Sequence, residues 1–250
     1  MKRIINSILL FFFTFSVVLA QEKPASEIIK LSEDKMRGKT LYGQMVIKTV
    51  RPTYTREMAV KVWMKGNNYS LIQVISPAKE KGITFLKRKK EVWNWIPTLE
   101  RIIKLPPSMM SQSWMGTDFT NDDLVKESSI IEDYTPEIEG NENYLDRNCW
   151  KIILTPKPKA AVVWGKVIVW IDKKDFLQLK SEFYDEDGEL VNTMSGFEIK
   201  EMGGRIIPTQ IDMTTKGKPG NKTSIIYKSL QFDQPMDDNF FSTQNMKSVK

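Results

Sequence analysis

Apolar and polar positions alternate with a period of two along most of the chain, which is the pattern of strands with one buried face. In TREMAVKVWMKGNNYSLIQVIS, residues 55–76, Val60 and Val62 alternate with lysines before a Gly-Asn-Asn turn. Comparable hairpin signals recur along the chain and indicate about eleven strands, thirteen at most, all compatible with antiparallel neighbours. So many short hairpins favour one domain whose sheet closes into a barrel or curves strongly.

Near the start of the chain the pattern becomes that of a helix. In PASEIIKLSEDKMRGK, Ile28, Ile29 and Met36 give a partial apolar face. Ser26 is a candidate N-cap, and Gly38 stands where a left-handed residue would end the helix. We expect this helix to lie across an apolar surface.

The first twenty residues have the features of a secretory leader. A basic pair precedes an apolar run, and Val18 and Ala20 occupy the −3 and −1 positions of a small-residue cleavage site. We therefore expect a cleaved signal peptide over residues 1–20 and a single exported, soluble domain over residues 21–250. An uncleaved apolar anchor is the alternative, whereas a lipid anchor is not predicted because no cysteine stands near the cleavage point.

Two residue types limit the chemistry of the chain. The sequence has no His and one Cys, Cys149, so a Ser-His-Asp arrangement, the commonest zinc ligand and an internal disulfide are all excluded. Cys149 precedes Trp150 in a predicted strand, where a packed small side chain is expected rather than a reactive thiol. The net charge of +6 is mild. Because basic and acidic residues alternate along the strands, nucleic-acid binding is not predicted.

Acidic residues offer few candidates for a metal site or for catalysis. DEDGE, residues 185–189, resembles half of a calcium loop but lacks the distal glutamate, and Asp-Gly between two strands is itself a hairpin signal. The pairs Asp122-Asp123 and Asp237-Asp238 follow turn or capping residues, where Asp is favoured locally. No metal, cofactor or catalytic dyad is therefore predicted, and an enzyme is not expected.

One segment is apolar without the pattern of a strand. LPPSMMSQSWMGTDF, residues 105–119, places soft apolar side chains after a double proline, and they share one face if residues 108–114 form a short helix. A second helical start follows at Thr120. Methionine adapts to apolar ligands of different shapes, so the segment is either a fixed plug or a lid that leaves when an acyl chain enters. The candidate lid residues are Met109, Met110, Trp114, Met115, Phe119 and Leu124.

Tryptophans mark a second candidate site. Trp63, Trp93 and Trp95 fall in predicted strands that carry bulk on both faces. They can form ordinary sheet core, an exposed ladder that stacks on sugar rings, or the lining of a cavity that one helix cannot fill. Bulk on both faces favours the cavity lining, with Ile28 and Met36 of the helix completing it.

Taken together, these parts resemble the LolA-like family of outer-membrane lipoprotein-sorting proteins, which includes carriers of the LolA, LolB and LppX type. VWMKGNNY, from residue 62, resembles the family's W-x-K strand end, and KKEVWNWIPTLERI, from residue 89, its turn, aromatic strand and proline. SWMGTDFTNDDL, from residue 113, is similar to the lid-and-helix signature. LQFDQPMDDNFFS, from residue 230, is similar to the closing strand and turn.

The resemblance implies a mainly β fold, a half-open antiparallel β-barrel with an N-terminal helix and a short helical lid over its apolar concave face. It implies no cofactor and no reaction. It implies a monomeric periplasmic chaperone that buries the acyl chains of a lipoprotein or another lipid and carries them towards the outer membrane. An inner-membrane transporter and an outer-membrane acceptor would be its partners.

One position departs from the family's pattern. An arginine usually follows the W-x-K motif and latches the closed lid, but here that position is Gly66. Arg51, Arg56 or Arg101 would have to replace the latch.

Two other functions remain as alternatives. A cell-envelope glycan- or protein-binding scaffold would place its tryptophans on a convex, wet face. A carboxylate-based hydrolase would need two acids within about 5–10 Å of each other across a cleft.

Overall fold

The computed structural model describes residues 23–126 and 130–249, so the predicted signal peptide lies outside the described residues. These described residues form two α-helices, α1 (Ala25–Arg37) and α2 (Ile130–Asp133). The strands are β1 (Thr40–Arg51), β2 (Tyr54–Lys65), β3 (Tyr69–Ser76), β4 (Thr84–Arg88), β5 (Glu91–Ile96), β6 (Arg101–Lys104), β7 (Tyr134–Tyr144), β8 (Arg147–Pro156), β9 (Lys166–Asp172), β10 (Gln178–Tyr184), β11 (Leu190–Met202), β12 (Arg205–Thr215) and β13 (Lys222–Phe232).

All thirteen strands form one antiparallel sheet in the order β6-β5-β4-β3-β2-β1-β13-β12-β11-β10-β9-β8-β7. Each neighbour pair is a hairpin except β1 with β13, which joins the two halves of the chain at the centre of the sheet. Within the described residues β6 and β7 form no ladder with each other, so the sheet is open. The mainly β, half-open architecture is confirmed, with the strand number at the upper end of the expected range.

Helix α1 forms where the sequence predicts it but begins two residues early. Its N-cap is Pro24, whose carbonyl accepts the N–H groups of Glu27 and Ile28 at 3.0 and 3.1 Å. The proposed N-cap at Ser26 is wrong, because Pro24, two residues earlier, supplies a fixed φ and takes the N-cap position. Gly38 ends the helix with a positive φ of 62°, as expected, but its ψ of −164° lies outside the left-handed helical region. Among the described residues no helix has the length and apolarity needed to cross a bilayer.

The face of the sheet that α1 covers, here called the inner face, is continuous across both halves. Cross-strand neighbours in an antiparallel pair point to the same side. One row of such neighbours crosses five strands through Met213, Met194, Ser181, Val169 and Ile152. Its β12 end belongs to a first inner cluster around β1–β5 and β11–β13, and its β8 end to a second inner cluster around β7–β9.

Two segments cover the inner face. Helix α1 buries Ile28 and Ile29 in the second inner cluster. Residues 105–119, here called the cover segment, bury Trp114 and Phe119 in the first. Helix α1 and the cover segment thus each shield a different part of the apolar inner face from water.

The opposite, outer face carries its own apolar clusters. Residues 233–249, here called the C-terminal strap, lie over β2–β5 and bury Phe241 and Met246 completely against the sheet. On the other half, Cys149 is fully buried, and burial raises the pKa of its thiol to about 11. The expectation of a packed cysteine side chain is confirmed.

The C-terminal strap should contribute to the stability of the fold. Phe241 is completely buried and stacks on Tyr69 with ring centroids 5.3 Å apart, so Phe241→Ala should lower the free energy of unfolding by about 3–5 kcal/mol. Leu99→Ala is the control, because Leu99 is 58% exposed and its loss should change stability by less than about 0.5 kcal/mol. Urea denaturation measures both, and equal effects would contradict the assignment.

Candidate functional site

The cover segment is not the single short helix that the sequence predicts. It forms two 3-10 turns, Pro107–Met109 and Trp114–Gly116. Met115 and Gly116 adopt φ of 48° and 77°, which a continuous helix does not allow. The backbone N–H of Trp114 instead donates to the carbonyl of Phe119 at 2.8 Å and folds the segment back on itself.

The candidate lid residues nevertheless come together on the inner face. Trp114 is fully buried, and its ring packs against Phe85 of β4 with centroids 5.5 Å apart. All six belong to or pack against the first inner cluster: Met110, Trp114 and Phe119 are buried, and Met109, Met115 and Leu124 are partly buried.

Methionine is abundant in and around this cluster. Ten of the chain's 13 methionines belong to it or pack against it, counting strand, helix and cover-segment residues. They are Met36, Met45, Met58, Met64, Met109, Met110, Met115, Met194, Met202 and Met213. Unbranched thioether side chains repack readily, so the inner face can adapt to apolar ligands of different shapes.

The tryptophan candidates lie elsewhere. Trp63 is buried beneath the C-terminal strap, and Trp93 and Trp95 pack partly buried beside it on the outer face. Their expected place in the lining of the inner cavity is therefore wrong. Successive residues of a strand point to opposite faces of the sheet. Val62 and Val92 are buried on the inner face, so Trp63 and Trp93, which directly follow them, point to the outer face. The helix candidates are on the inner face, Ile28 in the second inner cluster and Met36 against the first.

An ion pair pins one end of the cover segment. Arg51, at the end of β1, donates from Nη1 to Asp118 Oδ2 at 2.9 Å and from Nη2 to the Gly116 carbonyl at 3.1 Å. Thr223 of β13 donates to the same Asp118 oxygen at 2.7 Å. The Arg51 and Asp118 side chains are only 14% and 5% exposed, so this contact is well shielded from solvent.

A second arginine holds the neighbouring backbone. Arg56, near the start of β2, donates to the Met115 carbonyl at 2.7 Å and pairs with Glu80 at 2.6 Å. Two of the three arginines considered from sequence, Arg51 and Arg56, thus form a latch on the cover segment. Arg101 is exposed in β6, and among the described residues no hydrogen bond or ion pair joins it to the cover segment. The acidic partners were missed, because Asp118 is 67 residues from Arg51.

The residues after the cover segment form a capped helical turn, as expected. Thr120 N–H donates to Asp123 Oδ2 at 2.8 Å, and Asp123 N–H donates to Thr120 Oγ1 at 3.1 Å, which is a reciprocal capping arrangement. Trp164 Nε1 donates to the other Asp123 oxygen at 3.0 Å. Asp237 likewise caps Asn239, and Asp185 closes the β10–β11 turn. These aspartates have the local roles predicted for them.

Solved structures with the same fold are LolA-like. The chain is 24% identical to a LolA superfamily protein from Nitrosomonas europaea, with 89% of this chain and 99% of that one covered and a TM-score of 0.77. It is 23% identical to an outer membrane lipoprotein-sorting protein domain from Vibrio parahaemolyticus, with 89% and 98% covered and a TM-score of 0.77. A DUF1329 family protein from Desulfovibrio piger is 20% identical, with 89% and 97% covered and a TM-score of 0.80.

The open sheet with its covered, methionine-rich inner face is therefore a LolA-like fold, and the resemblance noted in the sequence is confirmed at the level of the fold. A family model described as "Uncharacterized protein" matches residues 66–248, and the chain belongs to that family. A comparison with curated proteins finds no match.

Breaking the latch should free the cover segment. Arg51→Met leaves the shielded Asp118 carboxylate without its cation, which should cost about 3–5 kcal/mol and speed amide exchange across residues 105–119. Lys48→Met is the control, because Lys48 lies in the same strand and pairs with Glu57 at 3.2 Å while 41% exposed. Its loss should cost about 0–1 kcal/mol. Hydrogen exchange measured by mass spectrometry distinguishes the two, and unchanged exchange in Arg51→Met would refute the latch.

The capped turn should weaken as the pH rises. Burial raises the pKa of the Asp123 carboxyl above its ordinary 3.8, so the folded chain holds this proton more tightly than the unfolded chain does. Its contribution to stability is present below pH 3.8 and lost as the pH rises through the folded-state pKa. Urea unfolding between about pH 4 and pH 7 should show wild type losing stability relative to Asp123→Asn. Parallel curves would contradict this prediction.

Proposed function

We propose that the protein is a periplasmic carrier that binds the acyl chains of a lipoprotein or another lipid on its inner face and carries them towards the outer membrane. The observation that supports this most directly is the gathering of ten methionines in the first inner cluster beneath a separate cover segment. An inner-membrane transporter as donor and an outer-membrane acceptor belong to the same proposal. The chain acts as a monomer and performs no reaction.

We infer that the cover segment is a lid rather than a fixed plug. The indole N–H of Trp114 is buried and has no acceptor among the described residues, which costs about 1–3 kcal/mol. Met115 is a non-glycine residue at φ 48°, and such strain costs about 1–3 kcal/mol. Both costs are relieved when the segment leaves the inner face, so they lower the free energy needed to displace it.

The same contacts limit how tightly the cargo binds. Each buried CH₂ group gains about 0.8 kcal/mol, so two acyl chains alone would bind too tightly for release. Displacing Trp114, Phe119 and Met110 from the first inner cluster offsets part of that gain. The cover segment therefore competes with the cargo and assists its release.

The surroundings of the tryptophans and of the paired aspartates favour neither alternative function. A glycan-binding scaffold needs a wet aromatic surface, but the C-terminal strap covers Trp63 and packs against Trp93 and Trp95. A carboxylate hydrolase needs two facing acids, but Asp123 and Asp237 are engaged in local caps.

Ligand binding should depend on the inner face and not on the outer. Both Met110→Ser and Met246→Ser remove a buried methionine, the first from the cover segment and the second from the strap, so both should destabilise the fold. Only Met110→Ser should change the affinity for a fluorescent fatty acid, by about tenfold. Lipid extraction of the natively purified protein followed by mass spectrometry provides a second measurement. Neither co-purified lipid nor fatty-acid binding in wild type would refute the carrier function.

A further inference from the structure

A surface pocket lies at the opposite end of strand β2 from the latch. It has a volume of about 500 Å³ and lies between the polar side of α1 and the β2–β3 turn. That volume is within the range of small-ligand pockets. We call it the mouth pocket.

Strand β2 separates the latch from the mouth pocket. Arg56, which holds the cover segment, lies near the start of β2, and Lys65, which lines the pocket, is its last residue. At about 3.3 Å per residue, the two lie roughly 30 Å apart along the strand. The cover segment is therefore fixed at one end of the sheet, and the pocket opens at the other.

Glycine at position 66 keeps the mouth pocket open. Gly66 lines it at φ 50°, and a Cβ placed on this residue meets no atom within 4 Å. Gly66 thus contributes no side chain to this space, whereas Asn67 and Asn68 of the same turn line it.

The mouth pocket borders the apolar inner face at two points. Ile131 lines the pocket and packs against the second inner cluster. Arg37 also lines it and interacts electrostatically with Tyr227, which packs against the first inner cluster. A polar pocket beside an apolar face is the shape that an amphiphile requires.

The charges of the mouth pocket favour an anion. Four cations line it against three carboxylates. Lys65 is paired with Asp238 at 2.5 Å, and Arg37 interacts with Glu33 one helical turn earlier. Among the described residues, Lys30 and Lys39 expose ammonium groups that form no salt bridge, although Lys39 is close enough to the Asp233 carboxylate to lower its pKa. Lys30 is therefore available to a ligand, and Lys39 can share its charge between Asp233 and a ligand.

We propose that the mouth pocket binds the phosphate-bearing headgroup of a lipid whose acyl chains lie on the inner face. This inference rests on the carrier function proposed above and narrows its cargo to anionic phospholipid or to a lipid with equivalent phosphate chemistry. Lys30 and Lys39 contact the phosphate, and the chains pass Ile131 and Arg37 to reach the methionine-rich cluster.

The test compares two lipids with the same chains. Dipalmitoyl phosphatidylglycerol and dipalmitoylglycerol differ only in the phosphoglycerol headgroup, and each is titrated against an uncharged fluorescent acyl probe bound to the mature protein. Wild type should bind the phospholipid about tenfold more tightly at low salt, since each lysine near a phosphate contributes several-fold. The double variant Lys30→Gln/Lys39→Gln should lose this preference and bind dipalmitoylglycerol as wild type does.

Controls and contrary outcomes separate the two proposals. Lys90→Gln/Lys218→Gln removes two exposed lysines outside the mouth pocket and should keep the preference. Equal binding of both lipids by wild type, or an unchanged preference in Lys30→Gln/Lys39→Gln, would overturn the headgroup site and leave acyl-chain binding intact. Binding of neither lipid would overturn both proposals. Glycerol phosphate binding as tightly as the phospholipid would assign the pocket to a soluble phosphate ester and overturn the lipid assignment.

Discussion

The structure depends on the need to cover both faces of one large sheet. Strands with bulk at successive positions, such as Val62 and Trp63, expose apolar side chains on both sides, and neither side is stable in water. The outer face of β2–β5 is covered by the strap, which follows β13 directly. The inner face is covered by α1 and the cover segment. Phe241 and Met246 of the strap are fully buried, and so is Trp114 of the cover segment. Two of the five candidate residues in the cover segment, Met109 and Met115, stay partly exposed.

The cover segment is held by polar contacts at one end and by apolar contacts along its length. Arg51 and Arg56 bind Asp118 and the backbone around Gly116, while Trp114 and Phe119 insert into the first inner cluster. An apolar ligand can replace the second set of contacts but not the first. Under the lid proposal, the apolar contacts are the ones that a ligand displaces, and the latch is a separate, polar restraint on the segment.

Local chemistry made most of the fold predictable from the sequence. Gly38 and the Gly-Asn-Asn turn at residue 66 specify their own conformations, and the period-two pattern specifies the strands between turns. What the sequence could not specify was which face each residue takes where both are apolar, so Trp63, Trp93 and Trp95 were placed on the wrong side. The latch was only half predictable: its arginines were considered, but Asp118 and Glu80 meet them through the tertiary fold and carry no local signal.

The position of charge along β2 explains why Gly66 can replace an arginine. In the LolA-like pattern the latch would stand at the W-x-K end of this strand, but here Arg56 and its neighbour Arg51 lie at the opposite end. Moving the latch frees the W-x-K end from holding the cover segment. Gly66 then leaves open space beside Lys30, Lys39 and Arg37. The mouth pocket, with its four cations and three carboxylates, thus lies at the end of the sheet that the latch leaves free, which is where the proposed headgroup site requires it.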